Sequence, residues 1–410
     1  MIQPSVSSNI FSQYIQKQGL FTDKKILSSS FVPEKIEHRE AEIQQISSII
    51  APVLRGYKPN NIFIYGTCGT GKTICTKYVV KQLLEAAQGN GQRLITIYLN
   101  CKMKKVADTE YRLFAQMLRD LGEFVPDTGL PTDVIYRRFF ERVEQLHATV
   151  LIILDEIDTL VKKVGDEFLY NLTRVNSDLQ QSSITTIGIT NDLLFLENLD
   201  LRVKSSLSEE EVMFKPYNAI QLKDILTERV KHGFRDGVVK ETVIAKCAAL
   251  AAQEHGDARR ALDLLRVAGE LAERSNDLNV NETYVDVARK KIDMDRVSET
   301  IKSQPTHSQL VLYAIVKTQE KQKLQKEWAD HRILTGDVSD VYTNLCETNG
   351  IKPLTQRRVS DLIGELDMLG IINAKVISKG RHGRTREIRI ALNENVLANV
   401  ERLLIERFGN

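Results

Sequence analysis

Apolar residues follow two rhythms along this chain. Short unbroken runs, NIFIY (61–65), LITIYL (94–99), TVLIILD (149–155) and ITTIGIT (184–190), have the length of strands and no polar face. Such strands are buried on both sides, as in a parallel sheet covered by helices. Between them the spacing turns helical: Ile43, Ile46, Ile49 and Ile50 recur from Glu37 until Pro52, which ends or kinks the helix. Strands alternating with helices predict right-handed crossovers and an α/β parallel sheet. After VMFKPY (212–217) the strand signal stops, and 218–295 reads as helix, with Gly256-Asp257 as a stop and a fresh N-cap. KSQPT (302–306) reads as a linker. Three helical stretches follow, and then IINAKVISKGRHGRTREIRIAL (371–392) alternates and turns back at its glycines. Three helices and a β-hairpin make a winged-helix unit. Residues 1–30 are polar and mixed and predict a loosely ordered arm. The predicted domains are therefore an arm (1–30), a sheet domain (31–217), an all-α domain (218–300) and a winged helix (301–410).

Composition narrows the class. A chain of 410 residues has room for two or three domains, each with a proper core. Hydrophobic content of 42% and charged content of 27% are ordinary for a globular protein. With a net charge of only +2, contact with nucleic acid must come from local patches. The five cysteines are scattered, which argues for a reducing compartment and against structural zinc. The first twenty residues lack an apolar signal core, and no run is long enough to span a bilayer. The expectation is a cytoplasmic protein with no membrane partner.

Candidate chemistry starts directly after the first strand. Gly66-Thr67-Cys68-Gly69-Thr70-Gly71-Lys72-Thr73 fits G-x-x-x-x-G-K-[ST]. The glycines let successive N–H groups wrap an anion, and the following helix adds its dipole. Lys72 sits badly against the positive end of that dipole unless a phosphate is there. It can reach the β- and γ-phosphates, while Thr73 offers a hydroxyl to Mg²⁺. Some 80 residues on, VLIILDEID (150–158) ends a buried strand with Asp155, a second candidate for Mg²⁺, and Glu156, placed to orient or deprotonate a water. Further on, Arg259 and Arg260 lie in the first turn of a predicted helix, again against the dipole. A helical wheel puts both off the core face and does not choose between them.

GTCGTGKT, LDEID, TIGITND, LDLRVKSSL and HGDARRALDLLR occur in an order that resembles the AAA+ initiator family. Its archaeal members are related to the largest origin-recognition subunit and to the cell-division-cycle helicase-loading factor. The resemblance spans about residues 20 to 400. It implies an AAA+ P-loop ATPase domain, a helical lid and a C-terminal winged helix. ATP and ADP with Mg²⁺ would act as a slow switch, so hydrolysis is expected to be slow. Asn191 resembles the sensor that polarises the attacking water, Arg202 the arginine offered to a neighbour's nucleotide, and Arg259 the lid arginine. Pro33, Tyr217 and Ile225 match the region around the base, and ordinary inter-domain packing explains them equally well. The implied partners are double-stranded origin DNA, a replicative helicase and paralogous initiator subunits on adjacent sites, with the protein nucleoid-associated. A promoter-binding P-loop transcription regulator and a fast, ring-forming motor are the competing readings.

The DNA-facing residues are weighed on charge. In LTQRRVSDLIGELDMLG (354–370), Val359, Leu362, Ile363 and Leu366 form a core stripe, with Thr355 as N-cap and Gly370 as stop. Arg357, with Arg358 beside it, could then reach a base edge or a phosphate, and the outward Gly364 would permit close approach. Asp361, Glu365 and Asp367 oppose this. In the hairpin, Lys375, Lys379, Arg381, Arg384, Arg386 and Arg389, with His382, outweigh Glu387. A basic, glycine-bent wing suits a minor groove. The resemblance adds an insertion after the second strand, where Lys102, Lys104, Lys105 and Thr109 are DNA candidates, although a solvated helix entry fits them as well.

Overall fold

The structure, a computed structural model, describes residues 19–102, 109–126, 129–207, 209–324, 332–378 and 384–409. The chain divides into two compact units, Met1–Val285 and Asp286–Asn410.

The first unit is built on five parallel strands, β1 (Asn61–Tyr65), β2 (Leu94–Asn100), β3 (Thr149–Asp155), β4 (Ser183–Thr190) and β5 (Glu209–Met213), in the order β2-β3-β4-β1-β5. The apolar runs serve both faces. Ile62, Ile64, Leu151 and Ile153 pack with α1 (Glu40–Ile50) and α2 (Lys72–Gly89), through Ile46, Ile49, Val79 and Leu83. Phe63, Ile152 and Leu154 face the other way, towards α3 (Glu110–Asp120), α4 (Thr132–Leu146), α5 (Ile157–Val164), α6 (Glu167–Arg174) and α7 (Leu201–Leu207). Pro52 acts as expected: α1 ends at Ile50, and a short 3-10 turn carries the proline near its start.

The last strand departs from the sequence pattern. β5 is EEEVM, three residues earlier than the apolar VMFKPY suggests. Among the described residues it lies at the sheet edge, paired with β1 alone, so its outward glutamates need no apolar cover.

Next comes a helical layer of α8 (Ala219–Gly233), α9 (Glu241–Gln253) and α10 (Ala258–Arg274), and then α11 (Glu282–Ser303), which straddles the boundary between the units. Asn218 and Gln221 close a capping box at the start of α8. Residues 19–30, expected to belong to a loose arm, are packed on this layer. Phe21 stacks on Phe234 with centroids 4.5 Å apart, Thr22 N–H donates to Gly233 O at 2.9 Å, and Leu27 is fully buried. A few apolar side chains, Leu20, Phe21 and Leu27 among them, anchor the segment among polar neighbours, too few to register as a periodic pattern.

The second unit holds α12 (Thr306–Leu324), β6 (Ile333–Leu334), α13 (Thr335–Thr348), α14 (Gln356–Met368), β7 (Ile372–Ser378), β8 (Arg384–Ile390) and α15 (Glu394–Phe408). The strands form an antiparallel sheet in the order β6-β8-β7. Residues 310–316 of α12 are buried all round, which makes this the central helix. The stripe Val359, Leu362, Ile363 and Leu366 is buried, Thr355 caps α14, and Gly370 takes a positive φ of 69°. Of the linker expected over 302–306, only Gln304 and Pro305 lie between α11 and α12, with Gln304 N–H donating to Ile301 O. α15 was not foreseen, although Val396, Val400 and Leu404 recur at helical spacing and are buried.

Candidate nucleotide site and nucleic-acid interface

Strand order creates the first site. β4 lies between β1 and β3, so the segments leaving these three strands meet at one crevice beyond their carboxyl ends. A cavity of about 560 Å³ opens there. It is lined by Gly69 to Thr73, Asp155, Glu156, Asn191 and Arg259, and on its apolar side by Phe31, Val32, Pro33, Ile36, Tyr217, Ile225 and Leu262.

The glycine loop is wrapped tightly. Gly69 has φ 73°, and a Cβ there would lie 1.7 Å from Asp257 Oδ1; Gly71 has φ 95°, and a Cβ would come within 2.8 Å of the Tyr217 hydroxyl. Only glycine fits both positions. Ala258 N–H donates to Gly69 O at 3.1 Å, so the start of α10 is bonded directly to the loop. The Lys72 ammonium is buried and donates to Gly66 O (2.7 Å), Thr67 O (2.8 Å) and Asn191 Oδ1 (2.8 Å). Burial, reinforced by the Arg259 charge, pushes its pKa down to about 8.

Thr73 Oγ1 donates to Asp155 Oδ2 at 2.9 Å, and the Tyr98 hydroxyl donates to the same oxygen at 2.6 Å. Thr73 and Asp155 are hard oxygen donors at the cavity's edge. Two protein oxygens suit Mg²⁺, which keeps several waters and takes phosphate oxygens as its other ligands. Among the described residues no group of three or more His, Cys, Asp or Glu is placed for a metal, so a cation here would depend on such non-protein oxygens. Glu156 adopts φ 57°, a left-handed conformation uncommon outside glycine, and lines the cavity beside Asp155.

The two lid arginines separate. Arg259 is exposed, lines the cavity, and its Nη1 lies 3.8 Å from Cys68 Sγ. Arg260 Nε donates instead to Glu254 at 2.9 Å. Pro33, Tyr217 and Ile225 all line the cavity. Tyr217 is buried, the Arg39 guanidinium lies 3.9 Å over its ring, and burial pushes its phenol up to about 12. Arg202 is not part of this cavity. It stands on α7 with its side chain 84% exposed, 3.2 Å from Asp200.

Asp257 is the helix N-cap that the sequence predicts, accepting from Arg259 and Arg260 N–H, but Tyr98 and Arg39 were missed. Each depends on which strand or helix lies alongside, and no local signal reports that. Lys102 Nζ lies 3.6 Å from Glu156 Oε2, a pairing equally hidden. Thr109 caps α3 by accepting from Arg112 N–H. Lys104 and Lys105 lie outside the described residues, as do Lys379, Arg381 and His382.

On the winged unit, Arg357 is exposed at the start of α14. Arg358 pairs with Asp361 (3.9 Å) and Glu365 (3.3 Å), which offsets part of that helix's acidity. Arg386 is engaged within the winged unit. Its Nη1 donates to Ser360 O at 3.1 Å, and a Cβ on Gly364 would meet that nitrogen at 2.9 Å. Gly364 thus makes room for Arg386, where close approach of DNA had been the expectation. Arg384 opens β8, opposite Ser378.

Comparison with known proteins agrees with this architecture. Residues 55–193 match the AAA domain family, 223–290 the Cdc6 AAA+ ATPase-type lid domain, and 299–400 the CDC6 C-terminal winged helix domain. An ORC1-type DNA replication protein of Thermococcus kodakarensis is 48% identical over 399 residues, covering 96% of this chain and 94% of its own. ORC1-type DNA replication protein 1 of Archaeoglobus fulgidus is 49% identical, covering 95% and 92%. The ORC1 protein of Aeropyrum pernix, solved in complex with DNA, is 42% identical with a TM-score of 0.82, covering 96% of this chain and 99% of its own. On a P-loop sheet, a lid bonded to that loop and a winged helix, matched over nearly its full length, the chain belongs to the Cdc6/ORC1-type family of archaeal AAA+ DNA replication initiators.

Proposed function

We propose that this protein binds duplex origin DNA under the control of ATP and helps recruit or load the replicative helicase. The reading assigns the nucleotide to a base domain over 31–217 and a lid over 218–300, and the DNA to a winged helix over 301–410. Its chief support is the convergence of Lys72, Thr73, Asp155, Glu156, Asn191 and Arg259 on one cavity.

The residue roles in this reading combine that geometry with the family resemblance. Lys72 exchanges its carbonyl partners for phosphate oxygens, and the glycine-loop N–H groups hold the anion. Thr73 and Asp155 would hold Mg²⁺, which would neutralise phosphate charge there. Glu156 orients the attacking water and accepts its proton, while Asn191 fixes that water or the terminal phosphate. Arg259 carries the state of that phosphate to α10, which is already bonded to Gly69. Arg202 reaches out to the nucleotide of a neighbouring copy or paralogue on an adjacent DNA site, consistent with its exposure. Hydrolysis is slow and serves as a switch, with the protein at the nucleoid. Arg357, Arg358 and the wing residues Lys379, Arg381, His382 and Arg384 contact DNA, with Lys104, Lys105 and Thr109 adding a contact from the base domain. Arg386 also contacts DNA and, through Ser360 O, holds the wing to α14.

Footprinting on genomic fragments with ATP and with ADP tests this. Protection at a few discrete sites near replication start points, weakened by Arg381→Ala and Arg384→Ala, is expected. Protection spread over promoters, or without site preference, would overturn the origin reading. Two substitutions test the ATP site itself. Lys72→Ala should weaken ADP binding roughly tenfold to a hundredfold, the worth of about 1.5–3 kcal/mol for a charged hydrogen bond. Glu156→Gln should leave binding intact and slow hydrolysis by about 10²–10⁴. Wild-type turnover by the glutamine variant would remove Glu156 from its role.

A further inference from the structure

Arg229 on α8 is a buried cation with an unusual set of partners. It is 8% exposed and lines the edge of the nucleotide cavity. Nη1 donates to Ile26 O at 3.1 Å and Nη2 to Phe31 O at 3.3 Å, and the guanidinium lies 4.8 Å from the Phe31 ring centroid. Burial lowers its pKa, and no carboxylate among the described residues contributes. Burying a guanidinium without a counter-ion is costly, so its hydrogen bonds and the ring contact must offset that cost. The two carbonyls stand at the ends of residues 26–31. That segment leads into Val32 and Pro33 and supplies part of the cavity's apolar wall. Next to it, Leu27 is received on α8 where Gly233 leaves space; a Cβ there would meet Leu27 Cγ at 3.3 Å.

We propose that Arg229 is a positioning residue for the nucleobase. It staples residues 26–31 to α8 and so sets the apolar slot into which a purine ring inserts. The phosphates are held separately, by the glycine loop and Lys72. This rests on the nucleotide reading above and adds to it that base affinity is governed from the helical layer through a segment N-terminal to the sheet. A lysine cannot replace the staple, because one ammonium does not span two carbonyls as a planar guanidinium does.

Calorimetry of the full chain with ADP and, separately, with inorganic pyrophosphate tests the proposal. Arg229→Ala should weaken ADP binding about tenfold and leave pyrophosphate affinity within about twofold. Arg229→Lys keeps the charge and stem, serves where the alanine variant fails to fold, and should show the same selective loss. Equal losses for both ligands would mean a general disturbance of the site and overturn the proposal. Unchanged ADP affinity in both variants would overturn it too. Wild-type protein that binds neither ligand would remove the nucleotide reading itself, an outcome distinct from either.

Discussion

At the scale of single residues, the site is a set of side chains held out of water by one another. Lys72 is satisfied by two loop carbonyls and Asn191, and Asp155 by Thr73 and Tyr98. The cysteines offer a direct test of this burial. Cys68 is exposed in the loop, whereas Cys75, Cys101, Cys247 and Cys346 are buried. Desolvation pushes the Cys75, Cys101 and Cys247 thiols up to about 12, and Cys346 upward as well. A disulfide reagent at pH 8 should therefore label one thiol quickly in the native protein and all five after denaturation. Cys68→Ser should abolish the fast reaction, and ADP should slow it in the wild type. Two or more fast thiols would contradict the packing described. The loop, Asp155 and Glu156 were legible in the residues because each motif is contiguous, whereas Asn191 was carried by the family resemblance. Tyr98 was not, because its role comes from the alignment of β2 alongside β3, with Asn100 opposite Asp155.

At the scale of elements, the segment at 19–30 illustrates how glycine can make a receptor. A Cβ on Gly269 of α10 would lie 2.6 Å from Phe21 Cζ and 2.7 Å from Phe234 Cε1. Gly269→Ala should therefore expel Phe21 at a cost of about 1–3 kcal/mol, more than the helix propensity gained by alanine. The expected result is a lower melting temperature and faster proteolysis within residues 19–30. A variant that melts higher with the segment still protected would disprove the docking. The same device recurs in the winged unit, where Gly364 admits the Arg386 guanidinium and ties β8 to α14.

At the scale of the molecule, the two units have separate cores. One is centred on the parallel sheet, and the other on Leu310 to Ile315 with α13, α14 and α15. Ligand binding stabilises only the unit that contains the site. Scanning calorimetry should resolve two transitions. ADP at a hundredfold excess over its Kd should stabilise the first unit by about 2.7 kcal/mol and leave the second in place. A single transition that ADP moves as a whole would show that the units unfold together.

The sequence by itself determined the strands β1 to β4, the glycine loop, the acidic pair at 155–156 and the apolar stripe of α14. These are local: a buried strand must be apolar, a phosphate loop needs its glycines, and a helix face repeats every three to four residues. Tertiary structure decided the rest. It made the glutamate-rich β5 a strand, because a sheet edge tolerates charge, and it sent Arg259 to the cavity and Arg260 to Glu254. It also spent Arg386 on α14 and packed residues 19–30 onto the helical layer. In each case the partner lies far along the chain or the choice is between neighbours of identical type. Local chemistry is the same for either outcome, and only packing distinguishes them.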